Sequence, residues 1–172
     1  MQFRKFHPVA WSLFLFAAAG SAHAASLSGV DRNFMVTAAK IDMTEANEGQ
    51  LAQNVATRAD VKDFAKSLVQ DHTESYGHLS ELASKRGVSI PRGIDSAKVP
   101  AIQQLSHLKG DRFDRRFAQE EVAANRQALA VFKREAARGK DSDVKDYATR
   151  TIPVLEKNLR LAEDCAKTTG RT

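Results

Sequence analysis

The stretch DVKDFAKSLVQDHTESYGHLSELASKRG, Asp60–Gly87, decides the fold. Apolar residues recur in it at Val61, Phe64, Ala65, Leu68, Val69, Tyr76, Leu79, Leu82 and Ala83, the three- and four-residue spacing of an amphipathic helix. Thr57 to Asp60 supply its expected cap and Gly87 its stop. His72 falls inside the stripe, four residues after Leu68 and four before Tyr76, with Asp71 beside it. An ionisable side chain on a core-facing stripe must find a partner, because burying it unpaired is costly. The rest of the chain has to supply one.

The same periodicity predicts three more long helices. The first runs from Asp31 to about Ala56, opened by the capping-box spacing Ser28-Gly-Val-Asp31. It turns Phe34, Ala38, Ile41, Ala52 and Val55 inward, with Glu45 on that face and Glu48 nearby. Gly49 weakens this helix by ~1 kcal/mol relative to alanine and leaves room for a close neighbour. Val88 to Pro100, with Pro91 and Gly93, is the longest break in periodicity, long enough to cross the end of a bundle, and Ala101–Leu108 adds a short helical piece. A third long helix follows Gly110, with Asp111 as its expected cap, and closes at Gly139. Its inner line is Phe113, Phe117, Ala124, Ala128, Val131 and Phe132, interrupted by Glu121. The fourth runs from Asp141-Ser142 to about Thr168 through Val144, Tyr147, Ala148, Thr151, Val154, Leu155, Asn158, Leu161 and Ala162. Pro153 inside it removes a hydrogen bond and predicts a kink.

DVKDFA, Asp60–Ala65, recurs as DVKDYA, Asp143–Ala148, 83 residues further on. Both copies open the second helix of a helix pair. Four long helices, each with one apolar stripe and no alternating strand pattern, predict an all-α four-helix bundle built from two related hairpins.

The N-terminus carries an address. Arg4 and Lys5 precede the apolar run Val9–Gly20, and Ala22-His23-Ala24 is a small-residue cleavage site. A secretory signal peptide over residues 1–24 is expected, with cutting after Ala24, leaving 148 of the 172 residues as a single domain, 25–172. The periplasm is the expected compartment. Without Arg4 and Lys5 the net charge falls from +5 to +3, and the remaining charges alternate in sign along the chain. No basic block is interleaved with aromatics, so nucleic acid is not an expected partner. The one cysteine, Cys165, excludes a disulfide within the chain. It could link two subunits of a homodimer, but its place near the inner edge of the last helix reads as a small buried side chain.

Ionisable residues on inner faces are the candidates for chemistry. A bundle core can host a metal through carboxylates and imidazoles from facing helices. Glu45, Asp71, His72 and Glu121 are the candidate ligands, with iron, manganese or zinc as the candidate ion. The Glu-x-x-His pair of di-iron bundles is absent, since Val69, Ser75 and Gln104 stand three before His72, His78 and His107. The competing reading is a buried Glu45–His72 or Asp71–His72 pair that fixes helix register. His78 and His107 read as surface residues, and Asp114 as a first-turn carboxylate favoured by the helix dipole. No serine or cysteine nucleophile has a base, and there is no glycine-rich phosphate loop.

The chain resembles the ferritin-like family of bacterial envelope proteins catalogued as domain of unknown function 4142. The resemblance rests on Glu45 with Leu51-Ala52, Val61 to Ala65 running to Asp71-His72, Gly87-Val88 with Pro91, and Phe113-Asp114. It continues through Phe132 with Glu135-Ala136, Gly139-Lys140-Asp141 and Ile152 to Leu155, spanning Asp31 to about Ala166. It implies a four-helix bundle exported to the envelope and suggests a role in envelope stress without implying a settled activity; the reading of the residues is a non-enzymatic bundle with that role or one in partner binding. The resemblance also implies a core where Glu, two Asp-His pairs and a late His converge. Here Glu45 and Asp71-His72 are kept, the second Asp-His is Ala124-Asn125, the late His is Asn158, and Glu121 replaces an apolar residue. A metal-binding or redox protein with a reduced Glu/His site is the alternative.

Overall fold

The computed structural model describes residues 27–170, so the expected signal segment lies outside the described residues. Among them are five α-helices and one 3-10 turn, and no strand: α1 (Gly29–Val55), α2 (Ala59–Arg86), the turn Ser96–Lys98, α3 (Val99–Ser106), α4 (Asp111–Arg138) and α5 (Ser142–Thr169). Four of the helices are 27 or 28 residues long and α3 has 8. None is long and apolar enough to cross a membrane. α1 packs along α2 and α4 along α5, and the two hairpins meet through α2 with α5 and α1 with α4. The segment 88–98 and α3 carry the chain between hairpins. α5 continues through Pro153 as one helix.

The helix ends follow the local sequence in part. Ser28 accepts from the Asp31 N–H at 3.2 Å, completing the cap expected for α1. Gly87 adopts φ 63°, and the N–H of Val88 reaches back to the Ala83 carbonyl at 2.9 Å, which stops α2. Asp141 accepts from the N–H groups of Asp143 and Val144 to open α5. The start of α2 departs from expectation in part: its N-cap residue Arg58 makes no side-chain cap bond, while Asp60 accepts from the Val61 N–H at 3.0 Å. Asp114 on α4 holds the turn before it, accepting from the Thr57 N–H (3.1 Å), the Thr57 hydroxyl (2.7 Å) and the Arg58 N–H (3.0 Å). A short turn exposes donors, and a buried carboxylate from the other hairpin satisfies them. Asp31 on α1 reciprocates across the molecule. It accepts from the N–H groups of Lys140 (2.7 Å) and Asp141 (3.2 Å), just before α5.

Asp31 and Asp114 are 83 positions apart, the offset of the DVKDFA/DVKDYA echo. Phe34 and Phe117 share it, as do Phe64 and Tyr147. The cross-pairs Phe34–Tyr147 and Phe64–Phe117 both stand in ring contact, at 6.2 and 5.8 Å between centroids. The hairpins are therefore related by an approximate two-fold, and each clamps the turn of the other.

The apolar core is split in two. One cluster gathers Phe34, Met35, Leu79, Phe132, Val144, Tyr147 and Leu155. The other gathers Ala52, Val61, Phe64, Leu68, Phe113, Phe117 and Ala162. Each fully buried Phe or Leu contributes ~1.5–3 kcal/mol, so both ends are well held. Between them, every long helix crosses a layer where its inward positions are polar. These are Asp42, Glu45 and Glu48 on α1, His72 and Ser75 on α2, Glu121 and Asn125 on α4, and Asn158 on α5. Gly49 lets α1 approach α2 beside this layer, since a Cβ there would lie 2.9 Å from the Ala65 carbonyl and from Val69 Cγ2.

Candidate metal centre

α1 sets three acidic residues at three-residue intervals, Asp42, Glu45 and Glu48, so all three lie along one inward face. Facing them, α4 turns in Glu121 where an unbroken apolar line would place a hydrophobic side chain. One carboxylate oxygen from each of Glu45, Glu48 and Glu121 lies within 4.8 Å of the others, and all three residues are buried. Oxygens bound to one ion at ~2.0–2.6 Å stand at most about twice that distance apart, so the three converge at the spacing of a single cation's ligands.

His72 adjoins this layer, 2 % exposed. Its partner is neither Glu45 nor Asp71, the two pairings expected from sequence, but Asp42, at 2.9 Å between Nδ1 and Oδ1. Asp42 in turn accepts from the Tyr147 hydroxyl at 3.3 Å, and Tyr147 shares a 2.8 Å hydrogen bond with Ser75. Asp71 turns outward because adjacent helical positions point about 100° apart. Its carboxylate pairs with Lys157 and accepts from Ser67. With Nδ1 facing Asp42, His72 Nε2 is buried and free of any hydrogen bond.

Asn125 and Asn158 fill positions where the family resemblance leads one to look for imidazoles. Asn125 donates to the Glu121 carbonyl at 3.0 Å and to its carboxylate at 3.3 Å, leaving its own Oδ1 unpartnered. Both amide atoms of Asn158 and Glu45 Oε2 are also buried without a partner. Native cores leave few such atoms, and several in one layer mark a place where another group belongs.

The electrostatics agree. Burial first, and the Glu45 charge second, push Glu48 up to about 8 against a partial offset from Lys98. Burial, then Glu45 and the other neighbouring carboxylates, hold Glu121 well above the usual range. Burial works against a charged His72, yet the hydrogen bond and charge of Asp42, aided by Glu45 and Asp71, keep its proton on more firmly than in water. A divalent cation among the carboxylates would replace the protons they retain.

Of the four residues expected from sequence, Glu45 and Glu121 stand together in the carboxylate cluster, His72 lies beside it paired with Asp42, and Asp71 is paired with Lys157. Glu48 was noted but not counted, and Asp42 was not seen. The signal for both was the Asp-x-x-Glu-x-x-Glu spacing in α1. Cys165 lies apart from the layer, 4 % exposed, its Sγ 3.6 Å from the Asp60 carbonyl.

The fold is shared with solved structures of low sequence identity. A DUF305 fragment from Deinococcus radiodurans superposes with a TM-score of 0.73 at 12 % identity, covering 85 % of this chain and 99 % of that one. A DUF305 protein from Streptomyces coelicolor gives 0.70 at 14 % identity, covering 82 % and 92 %. CopM in its Cu(II)-bound form gives 0.63 at 11 % identity, covering 80 % and 96 %. No curated protein matches the sequence. At the level of sequence families the match extends over residues 16–165, and the chain belongs to the family described as Domain of unknown function (DUF4142).

Proposed function

We propose that this chain is an exported, ferritin-like four-helix bundle that binds one divalent transition metal in its core, and that binding rather than turnover is its activity. Glu45, Glu48 and Glu121 supply the carboxylates; His72 Nε2, buried and without a hydrogen bond beside them, would add an imidazole when the ion displaces its proton, and Asn125 offers an unpartnered amide oxygen. The observation that carries this reading is the convergence of three buried carboxylates within 4.8 Å. A purely structural role does not account for it. Apolar residues of similar size would pack there with more stability, and like charges in a desolvated core repel one another. Asp42 fits the reading as the carboxylate that orients a metal-binding histidine by holding its other nitrogen.

The donor set selects among ions. Carboxylate and amide oxygens with one imidazole suit manganese, iron(II) or zinc, and the set lacks the thiolate and thioether ligands that favour Cu(I). CopM lends the scaffold a metal-bound precedent, in its Cu(II)-bound form. Export of residues 25–172 to the periplasm is supported by Arg4-Lys5, the apolar run Val9–Gly20 and the Ala22-His23-Ala24 site.

The test is elemental analysis and titration of residues 25–172, purified without tag or chelator, against Mn(II), Fe(II), Zn(II) and Cu(II). One ion per chain is expected, lost in the Glu45→Gln/Glu121→Gln double variant and retained in Asp71→Asn. Wild-type protein that binds none of these ions in excess would overturn the reading.

A further inference from the structure

We infer that the cleft between α1 and α4, closed on one side by the 88–98 segment, admits a small coordinating anion to the core metal. This rests on the metal-binding reading and assigns the centre its second ligand. The cleft has a volume of about 200 Å3 and is lined by Glu45 together with Thr44, Lys40, Lys98, Asp95 and Ala124. Glu45 thus belongs both to the carboxylate cluster and to the cleft wall, so the cluster meets the cleft through that one side chain. The volume is below the 300–1,000 Å3 common for drug-sized ligands and is room for only a few waters' worth of matter, at ~30 Å3 each. An occupant of a few heavy atoms fits, such as a small carboxylate or oxyanion.

The charges at the mouth favour an anion once the metal is in place. Lys40 and Lys98 share the lining with two carboxylates, Asp95 and Glu45; Asp95 pairs with Lys40 at 3.4 Å, and its backbone N–H donates to Thr44 at 3.0 Å. The lining is balanced as it stands, and a cation held at Glu45 would leave it with an excess positive charge. With a cation in place, the lining draws an anion inward, where field lines concentrate between low-dielectric walls. Asp95 is thereby held against α1, fixing the segment that forms the side of the cleft. At the inner end the Glu45 carboxylate repels an anion for as long as the cluster lacks a cation. Order follows from this: the metal binds first, and the anion then completes its coordination.

Azide is the probe, and Co(II) the ion, because its visible bands report a change of ligand. Azide is expected to alter the spectrum of Co(II)-loaded protein. By linkage it should also tighten Co(II) binding about fivefold or more relative to perchlorate at equal ionic strength. Azide should not bind the metal-free protein. Ala124→Phe, which fills the cleft, and Lys40→Gln/Lys98→Gln, which removes the positive side chains of the lining, should keep Co(II) and lose the azide response. Co(II) binding with no azide response in wild type would overturn this inference and leave the metal reading standing. So would an azide response undiminished in Ala124→Phe and in the lysine double variant. Absence of Co(II) binding in wild type would bring down both.

Discussion

Glu48→Gln tests whether the carboxylate cluster opposes the fold that carries it. Burial and the Glu45 charge push Glu48 up to about 8, whereas the unfolded chain loses that proton near 4.5. Between those values the folded state binds more protons than the unfolded one, so stability falls as pH rises, by ~1.4 kcal/mol per pH unit for one group. From pH 5 to pH 8 the ceiling is ~4 kcal/mol, a large share of the ~5–15 kcal/mol that holds a typical domain. Glutamine keeps the shape and removes the charge, but its amide returns ~1–2 kcal/mol where hydrogen bonds go unmade. The net gain expected for Glu48→Gln is ~2–3 kcal/mol at pH 8, shrinking to nothing or turning to a small loss at pH 5. Urea unfolding of residues 25–172 in EDTA, at pH 5, 6.5 and 8, measures it. His72, whose raised pKa contributes stability that is lost as pH rises, and Glu135, pushed up to about 7 by burial and Asp31, slope the wild-type curve the same way. The difference between the two proteins, not the wild-type slope, isolates Glu48. Saturating Mn(II) should reverse their order. If the variant gains nothing at pH 8 relative to pH 5, the cluster stores no electrostatic tension and the reasoning fails.

Three further outcomes are expected. His72→Ala leaves Asp42, 1 % exposed, without its charged partner, and should lose ~3–5 kcal/mol in denaturant unfolding; an unchanged midpoint would show the pair to be dispensable. Gly49→Ala gains ~1 kcal/mol of helix propensity but drives a methyl to 2.9 Å from Ala65 O and Val69 Cγ2, where overpacking costs ~1–3 kcal/mol, so its melting temperature should not rise. Cys165, buried and pushed up to about 11, should resist alkylation at pH 8 in folded protein and react once urea unfolds it. Rapid labelling of the native chain, or a disulfide dimer on a non-reducing gel, would contradict that placement.

The helices were legible because each buries one face, and one-sided burial writes a 3.6-residue period into the sequence. Gly87 and Ser28 were legible because they act on neighbours. The anchor of the turn before α2 was not, since Asp114 reaches Thr57 and Arg58 from 56 or 57 positions away. Sequence position alone made it a first-turn carboxylate, which it also is. The partner of His72 was missed for a related reason. Asp71 is adjacent in sequence but points elsewhere around the helix, and the choice between Asp42 and Glu45 depends on the height at which α1 meets α2. Glu121 was found because it interrupts an apolar line, and an interruption is visible without a structure.

The crossed aspartate clamps bear on the order in which the chain can become structured. During synthesis the first hairpin is complete once residue 88 has emerged, yet the turn joining its helices lacks its buried carboxylate until Asp114 follows. The second hairpin in turn needs Asp31, made long before it. Each half thus takes one buried carboxylate from the other. A fragment ending at Val88 should show little helix by circular dichroism, and adding the fragment from Val99 onward should restore it. Such mutual dependence would tie the folding of one hairpin to the presence of the other.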